Sequence, residues 1–293
     1  MKRLTIPILS ILALFGSATA GELAPSPVHE DHAHDEPLHG SVFFEPFEHL
    51  HFSALGTPIL HSFNVEPAFT GRDLFGTYRY RSGDGFDEHE IETEVEWAFT
   101  RRLGIIFEVP YIFENADDEG KADGFGDLAI VPRALLIEGD KFLLTTQVEI
   151  VAPTGTNGLG GETAIAPGLA IWSDLGNWWT LNTNLAVEHI FDEDATEFLF
   201  GFGLVKSFGE RPDLSPDAAH DHLCTAGIFN LLFEVTGVVG LNGEDEGVFT
   251  AEGLVGFSYG VNHYMDFRIG YEFPMSTPRD FDSGLATGFV WHF

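Results

Sequence analysis

Glu90, Glu92, Glu94 and Glu96 stand at every second position, separated by Ile91, Thr93 and Val95 and followed by Trp97. In an extended chain alternate residues share a face, so these carboxylates line up about 7 Å apart. Neighbouring charges at that spacing repel by about 0.6 kcal/mol in bulk water and about 2.4 kcal/mol at an effective dielectric of 20. The row must therefore face water, counterions or basic partners, which places it in a polar interior. Two readings of its chemistry are open: a charged eyelet that selects what passes, and a salt-bridge network that fills a narrow enclosure. Arg79, Arg81, Arg102, Arg133 and Arg268 alternate in a way that lets them reach the row, and Glu108, Glu149, Glu188, Glu234 and Glu252 extend the acidic set.

A second group with possible chemistry is His29, His32, His34 and His39, interspersed with Asp31 and Asp35. Neutral imidazole is a good ligand for Zn, Cu or Ni. The spacing matches no preformed site, so a solvated acidic tail is the plainer reading and weak divalent-metal capture the alternative. No other cofactor is expected. Asp117-Asp118-Glu119 lacks the full pattern of a calcium loop. Ser82, Ser173, Ser207, Ser258 and Ser283 are dispersed and no Gly-x-Ser-x-Gly elbow occurs, so we expect no enzyme.

The elements that must position these side chains are strands. Leu103, Ile105, Phe107, Val109, Tyr111 and Phe113 form one apolar face opposite Arg102, Glu108 and Glu114. Phe142 to Ile150 and Met265 to Phe273 repeat the pattern, and a period of two belongs to a strand. Turn residues divide the chain into about twelve such runs, near 72–82, 87–99, 102–114, 125–138, 141–153, 161–174, 177–191, 195–208, 222–239, 247–260, 262–274 and 280–293. Short connections alternate with longer ones around 115–124, 154–160, 240–246 and 275–279, as in barrels with short turns on one side and loops on the other. The exception is the long polar stretch 209–221. Small positions such as Ala164, Ala166, Gly168, Ala170, Gly201 and Gly203 leave room in the interior or serve sheet curvature.

The ends of the chain point to the compartment. Lys2 and Arg3, an apolar run from Leu4 to Phe15, and the small residues Gly16 to Ala20 read as a signal peptide cleaved after Ala20. That run is too short for a membrane-spanning helix, so only a closed barrel lets the remaining chain cross a bilayer with its backbone paired. At the other end Leu285, Phe289, Trp291 and Phe293 share one face, and a terminal aromatic on such a strand resembles the C-terminal signature of bacterial outer-membrane barrels. Phe289, Trp291 and Phe293 would present that strand to the barrel assembly machinery. Trp97, Trp172, Trp178, Trp179 and Trp291, near strand ends, read as aromatic girdles facing membrane lipid. The single cysteine, Cys224, excludes an internal disulfide framework, and a formal net charge of −32 opposes nucleic-acid binding. A soluble sandwich would share the alternation but bury the Leu103 to Phe113 face against a second sheet.

We thus expect an all-β protein, a transmembrane antiparallel β-barrel of about 12 strands in the bacterial outer membrane. Its parts are a signal peptide (1–20), a flexible His/Asp/Glu-rich leader (21–47), a linker, plug or extra strand (48–70) and the barrel (71–293). Gly124-Phe125-Gly126-Asp127-Leu128, Val148 to Gly155 with its Ala-Pro-Thr-Gly ending, Ala166-Pro167-Gly168-Leu169 and Trp178 to Asn182 resemble the outer-membrane family named after the meta-pathway of phenol degradation. The resemblance extends from about residue 70 to Phe293. It implies a porin-like or transporter-like protein passing small solutes, among them aromatic or hydrophobic compounds. A metal-capturing accessory barrel and a structural barrel with an occluded lumen are the alternatives.

Overall fold

The structure, a computed structural model, describes residues 43–47, 51–116, 120–210 and 225–293, all within the unit Gly40–Phe293. The expected signal peptide, nearly all of the expected leader with His29, His32, His34 and His39, the 117–119 acidic cluster and Cys224 lie outside the described residues.

The chain forms β1 (Arg72–Gly83), β2 (Phe86–Ala98), β3 (Leu103–Ala116), β4 (Gly120–Phe125), β5 (Leu128–Gly139), β6 (Phe142–Ala152), β7 (Ala164–Gly176), β8 (Trp179–Ile190), β9 (Ala195–Phe208), β10 (Phe229–Asn242), β11 (Phe249–Asn262), β12 (Met265–Pro274) and β13 (Ser283–His292). Each pairs antiparallel with its sequence neighbours, apart from β4 and β5, which both pair with β3. The ring closes where β1 pairs with β13, from Asp73 opposite His292 to Ser82 opposite Ser283. The fold is a closed 12-strand barrel with one additional strand.

Alternation decides what each strand shows to either side. Phe107, Ile150 and Phe267 are 38%, 41% and 40% exposed on the outer face, so no second sheet covers them. Their neighbours turn inward: Ile106 and Arg268 are buried. Outward glycines lie opposite aromatic residues, as Gly76 does with Phe289, Gly237 with Phe200 and Gly253 with Phe273. A Cβ on any of the three would come within 2.5 to 2.6 Å of the facing ring, so each phenylalanine lies over its glycine and covers the backbone there.

Three expectations are corrected. The stretch 115–124 carries loop-forming residues, yet Tyr111–Ala116 pairs with Gly120–Phe125 and the hairpin continues past the point where β5 leaves β3. The run expected to begin at 222 begins as a strand only at Phe229. Thr225 instead donates to Asp266 at 2.9 Å, and Ile228 packs with Phe52 and Trp178 across one end of the barrel. Trp172 and Trp178 are not girdle residues. Trp172 shares the parity of Ala164 to Ala170 and is 1% exposed, packed against Ile59, Ala68, Leu135 and Leu143.

Residues 51–70 form no strand beyond one isolated bridge between Phe52 and Pro58. They run inside the ring, entering and leaving at the end that holds the start of β1 and the end of β13, here called the terminal end. Val65 and Ala68 are fully buried, and Leu60 packs on Val205 and Leu232 of β9 and β10. Gly201 and Gly203 provide the space on β9, where a Cβ would stand 3.3 Å from Val65 and Ser62 respectively.

Candidate functional site

A chain segment inside a barrel has no ladder to bond its backbone, and each buried unpaired polar group costs about 1–3 kcal/mol. Wall side chains supply the partners. Glu234 accepts the N–H groups of Phe63 and Asn64 at 2.9 and 2.8 Å. Arg268 donates to the carbonyl of Ser62 and, at 2.9 Å, to Thr77, with its guanidinium 4.6 Å from the centre of the Phe63 ring. Arg133 and Thr145 donate to the carbonyls of Pro67 and Ala68, and Asn184 donates to that of Glu66 at 2.8 Å. Thr57 donates to Asp174 at 2.6 Å.

The remaining basic residues tie the walls together. Arg79 donates to Glu272 at 2.9 Å, to Glu90 at 3.0 Å and to Asn64 at 2.7 Å, with Glu92 at 3.9 Å. Arg81 reaches Glu272 at 2.9 Å and Glu252 at 3.0 Å. Arg133, fully buried, bridges Glu66 at 3.3 Å and Glu96 at 3.2 Å. The Glu90–Glu96 row faces inward, and its two ends find arginines. Arg102 sits in the turn before β3 and pairs with Glu138 instead, at 3.2 Å.

Other acids have no such partner. Glu94, Glu108, Glu149 and Glu188 make no ion pair within 4 Å among the described residues, whereas strand register sets Glu94 directly opposite Glu108 and Glu188 opposite Glu197. Like charges placed opposite one another are destabilising unless a cation, a proton or water lies between them.

Above the inner segment the lumen opens into a cavity of about 410 Å3. Asn64 and Glu66 form its floor, Gln147, Glu149, Asn184 and Glu252 its walls, and Arg279 to Phe281 of the β12–β13 loop its rim. The terminal-end half of the barrel is filled by chain; the other half holds this space, whose lining also includes Arg81 and the apolar Leu199 and Val238. The pairing of Glu272 with two arginines and the grip on residues 62–68 were not singled out from the sequence. Inward parity marks each residue, but only the fold reveals the partners.

The C-terminal aromatics face outward. Phe289, Trp291 and Phe293 are 40%, 42% and 60% exposed, and Trp291 stacks on Tyr264 with ring centres 6.2 Å apart. Trp97 and Trp179 are exposed in the same way. With an apolar exterior and a closed ladder, the barrel spans a bilayer.

The fold is similar to that of the COG4313 outer membrane channel from Pseudomonas putida F1, with a TM-score of 0.58 and 15% identity over 80% of this chain and 100% of that one. It is also similar to the NanC porin (TM-score 0.49, 11% identity, 75% of this chain and 98% of that chain). The KdgM porin has a TM-score of 0.48 and 10% identity over 75% of this chain and 99% of its own. No curated protein matches the sequence. The likeness to the channel concerns architecture, that of an outer-membrane barrel. A family profile matches residues 76–284, and the chain belongs to that family, described as MetA-pathway of phenol degradation.

Proposed function

We propose that the protein is a non-enzymatic channel that passes small cationic or polar neutral solutes through its acidic lumen, with residues 51–70 as an internal plug. One observation carries this reading: the cavity that ends on Asn64 and Glu66 is lined by Glu149, which makes no ion pair among the described residues, and elsewhere in the wall Glu94 stands opposite Glu108. Acids outnumber bases in that lining, with Glu66, Glu149, Glu252 and Asp280 against Arg81 and Arg279, and an excess of one sign of charge concentrates cations over anions. The filled terminal-end half supports a second reading, a structural barrel with an occluded lumen. Lipid is the partner of the outer face, and the exposed Phe289, Trp291 and Phe293 support recognition of the last strand by assembly machinery.

Planar-bilayer recordings under a salt gradient test the proposal. The wild type is expected to show a reversal potential favouring cations, and the combined substitutions Glu94→Gln, Glu108→Gln and Glu149→Gln, which break no ion pair, are expected to abolish it. Absence of both conductance and solute uptake, in the folded wild type and in a variant with its inner segment displaced, rejects the channel in favour of the structural barrel.

A further inference from the structure

At the terminal end, three buried side chains of mixed origin converge. His61 comes from the inner segment, Asp73 from β1 and His292 from β13, and one ligand atom of each lies within 4.8 Å of the others. Asp73 and His292 are direct cross-strand partners at the seam that closes the barrel, so two of the three are placed by the ladder itself. His61 Nε2 stands 3.3 Å from Asp73 Oδ2, and His292 Nδ1 stands 2.7 Å from Asp73 Oδ1.

We infer that His61, Asp73 and His292 form a binding site for a divalent transition metal, with Zn2+ the best chemical match. Two imidazoles and a carboxylate are a donor set that zinc accepts, with a fourth position left for water or another ligand. Tetrahedral ligands on bonds of about 2.0–2.2 Å stand about 3.3–3.6 Å apart, so side-chain adjustments of about 1 Å convert the present cluster into a coordination shell. A second feature points the same way. The other ring nitrogen of His292 lies 3.3 Å from Asp266 Oδ2, and Asp266 Oδ1 accepts a hydrogen bond from Thr225 at 2.9 Å. Metal-bound histidines ordinarily donate their remaining N–H to a carboxylate, which fixes the tautomer and orients the ring. His61 is itself held in place by the Phe69 and Phe75 rings, whose centres lie 4.9 and 4.8 Å away. His51 packs edge-on against His292, with the ring centres 5.0 Å apart.

The consequence is mechanical and does not depend on solute passage. His61 belongs to the inner segment and its co-ligands to the barrel seam, so a bound ion fastens the segment to the wall at the mouth.

The test uses the full chain carrying His29→Ala, His32→Ala, His34→Ala and His39→Ala, so that the leader cannot bind the probe. Co2+ titration, followed by visible absorption and by metal content after gel filtration, is expected to show one tightly held ion per chain. Zn2+ is expected to displace it and to raise the unfolding temperature until a chelator is added. Adding His61→Ala, outside every strand, is expected to abolish binding, and Asp266→Asn to weaken it about 10–100-fold. Far-UV circular dichroism confirms that each variant is folded; should His61→Ala fail that check, His61→Gln replaces it. No retained metal in the parent, or equal binding after loss of the His61 imidazole, leaves a histidine–aspartate hydrogen-bond network and overturns the proposal.

Discussion

Arg133 shows what a single buried charge does in this interior. Its side chain is fully buried, and it joins Glu96 on β2, Glu66 on the inner segment and the carbonyl of Pro67. Removing one member of a buried ionic group leaves its partners uncompensated, a loss of about 3–5 kcal/mol. Arg133→Met is therefore expected to lower the stability of the folded barrel in detergent by about that amount, read from denaturant unfolding. The double variant Arg133→Met, Glu96→Gln is expected to recover part of it. Equal destabilisation in the single and double variants would show that packing, and not charge, sets the effect.

Among the elements, the interrupted stave β4–β5 explains why the resembling motifs lie where they do. At the break, Gly126 donates to the carbonyl of Pro110 at 3.0 Å, and Asp127 turns toward the loop 153–163. There it accepts the N–H groups of Gly155 and Gly161 at 2.7 Å and of Glu162 at 3.0 Å. Gly160, with a φ of 149°, has no room for a side chain, since a Cβ would lie 2.7 Å from the Asp127 carboxyl carbon. The Gly-Phe-Gly-Asp and Ala-Pro-Thr-Gly stretches, distant in sequence, thus form one clasp. Burial raises the Asp127 carboxyl, but the backbone N–H groups outweigh it and hold it below the ordinary carboxylate range. A depressed folded-state value means that the clasp contributes fully above the unfolded value of about 3.9 and is lost as the pH falls through the lower folded one. The Gly155 and Gly161 amide shifts are expected to follow this single protonation, and to be flat over the same range in Asp127→Asn.

For the whole molecule, the inner segment and the two glycines of β9 define each other. Gly203 faces Ser62 and Val65, where a Cβ would already stand 3.3 and 3.5 Å from them, so the further atoms of a long side chain would meet the inner segment. Gly203→Leu is expected to dislodge residues 62–66 while leaving the ladder intact, because the side chain points away from the strand pairing. Single-channel conductance should rise several-fold over the wild type, and protease cleavage within 51–70 should appear. Unchanged conductance with confirmed cleavage would mean that another constriction, not this segment, limits passage.

The barrel was legible because lipid outside and a polar interior impose opposite demands on alternate residues, and that demand is written along each strand. Strand limits followed to within a few residues wherever turn chemistry was local, as from Ala195 to Phe208. Where it failed, a tertiary partner decided. Gly120–Phe125 became strand because β3 offered an edge, and Trp172 turned inward because parity outranks its preference for an interface. Residues 51–70 carry no period, so nothing local says that they thread the ring. Their carbonyls are answered by side chains from strands scattered through the sequence, and His61 reaches Asp73 and His292 only after the last strand meets the first. Composition and alternation determined an outer-membrane barrel with acids inside. Ring closure, which brings the two ends of the chain together, decided which acids find arginines, what fills the lumen and where the histidines meet.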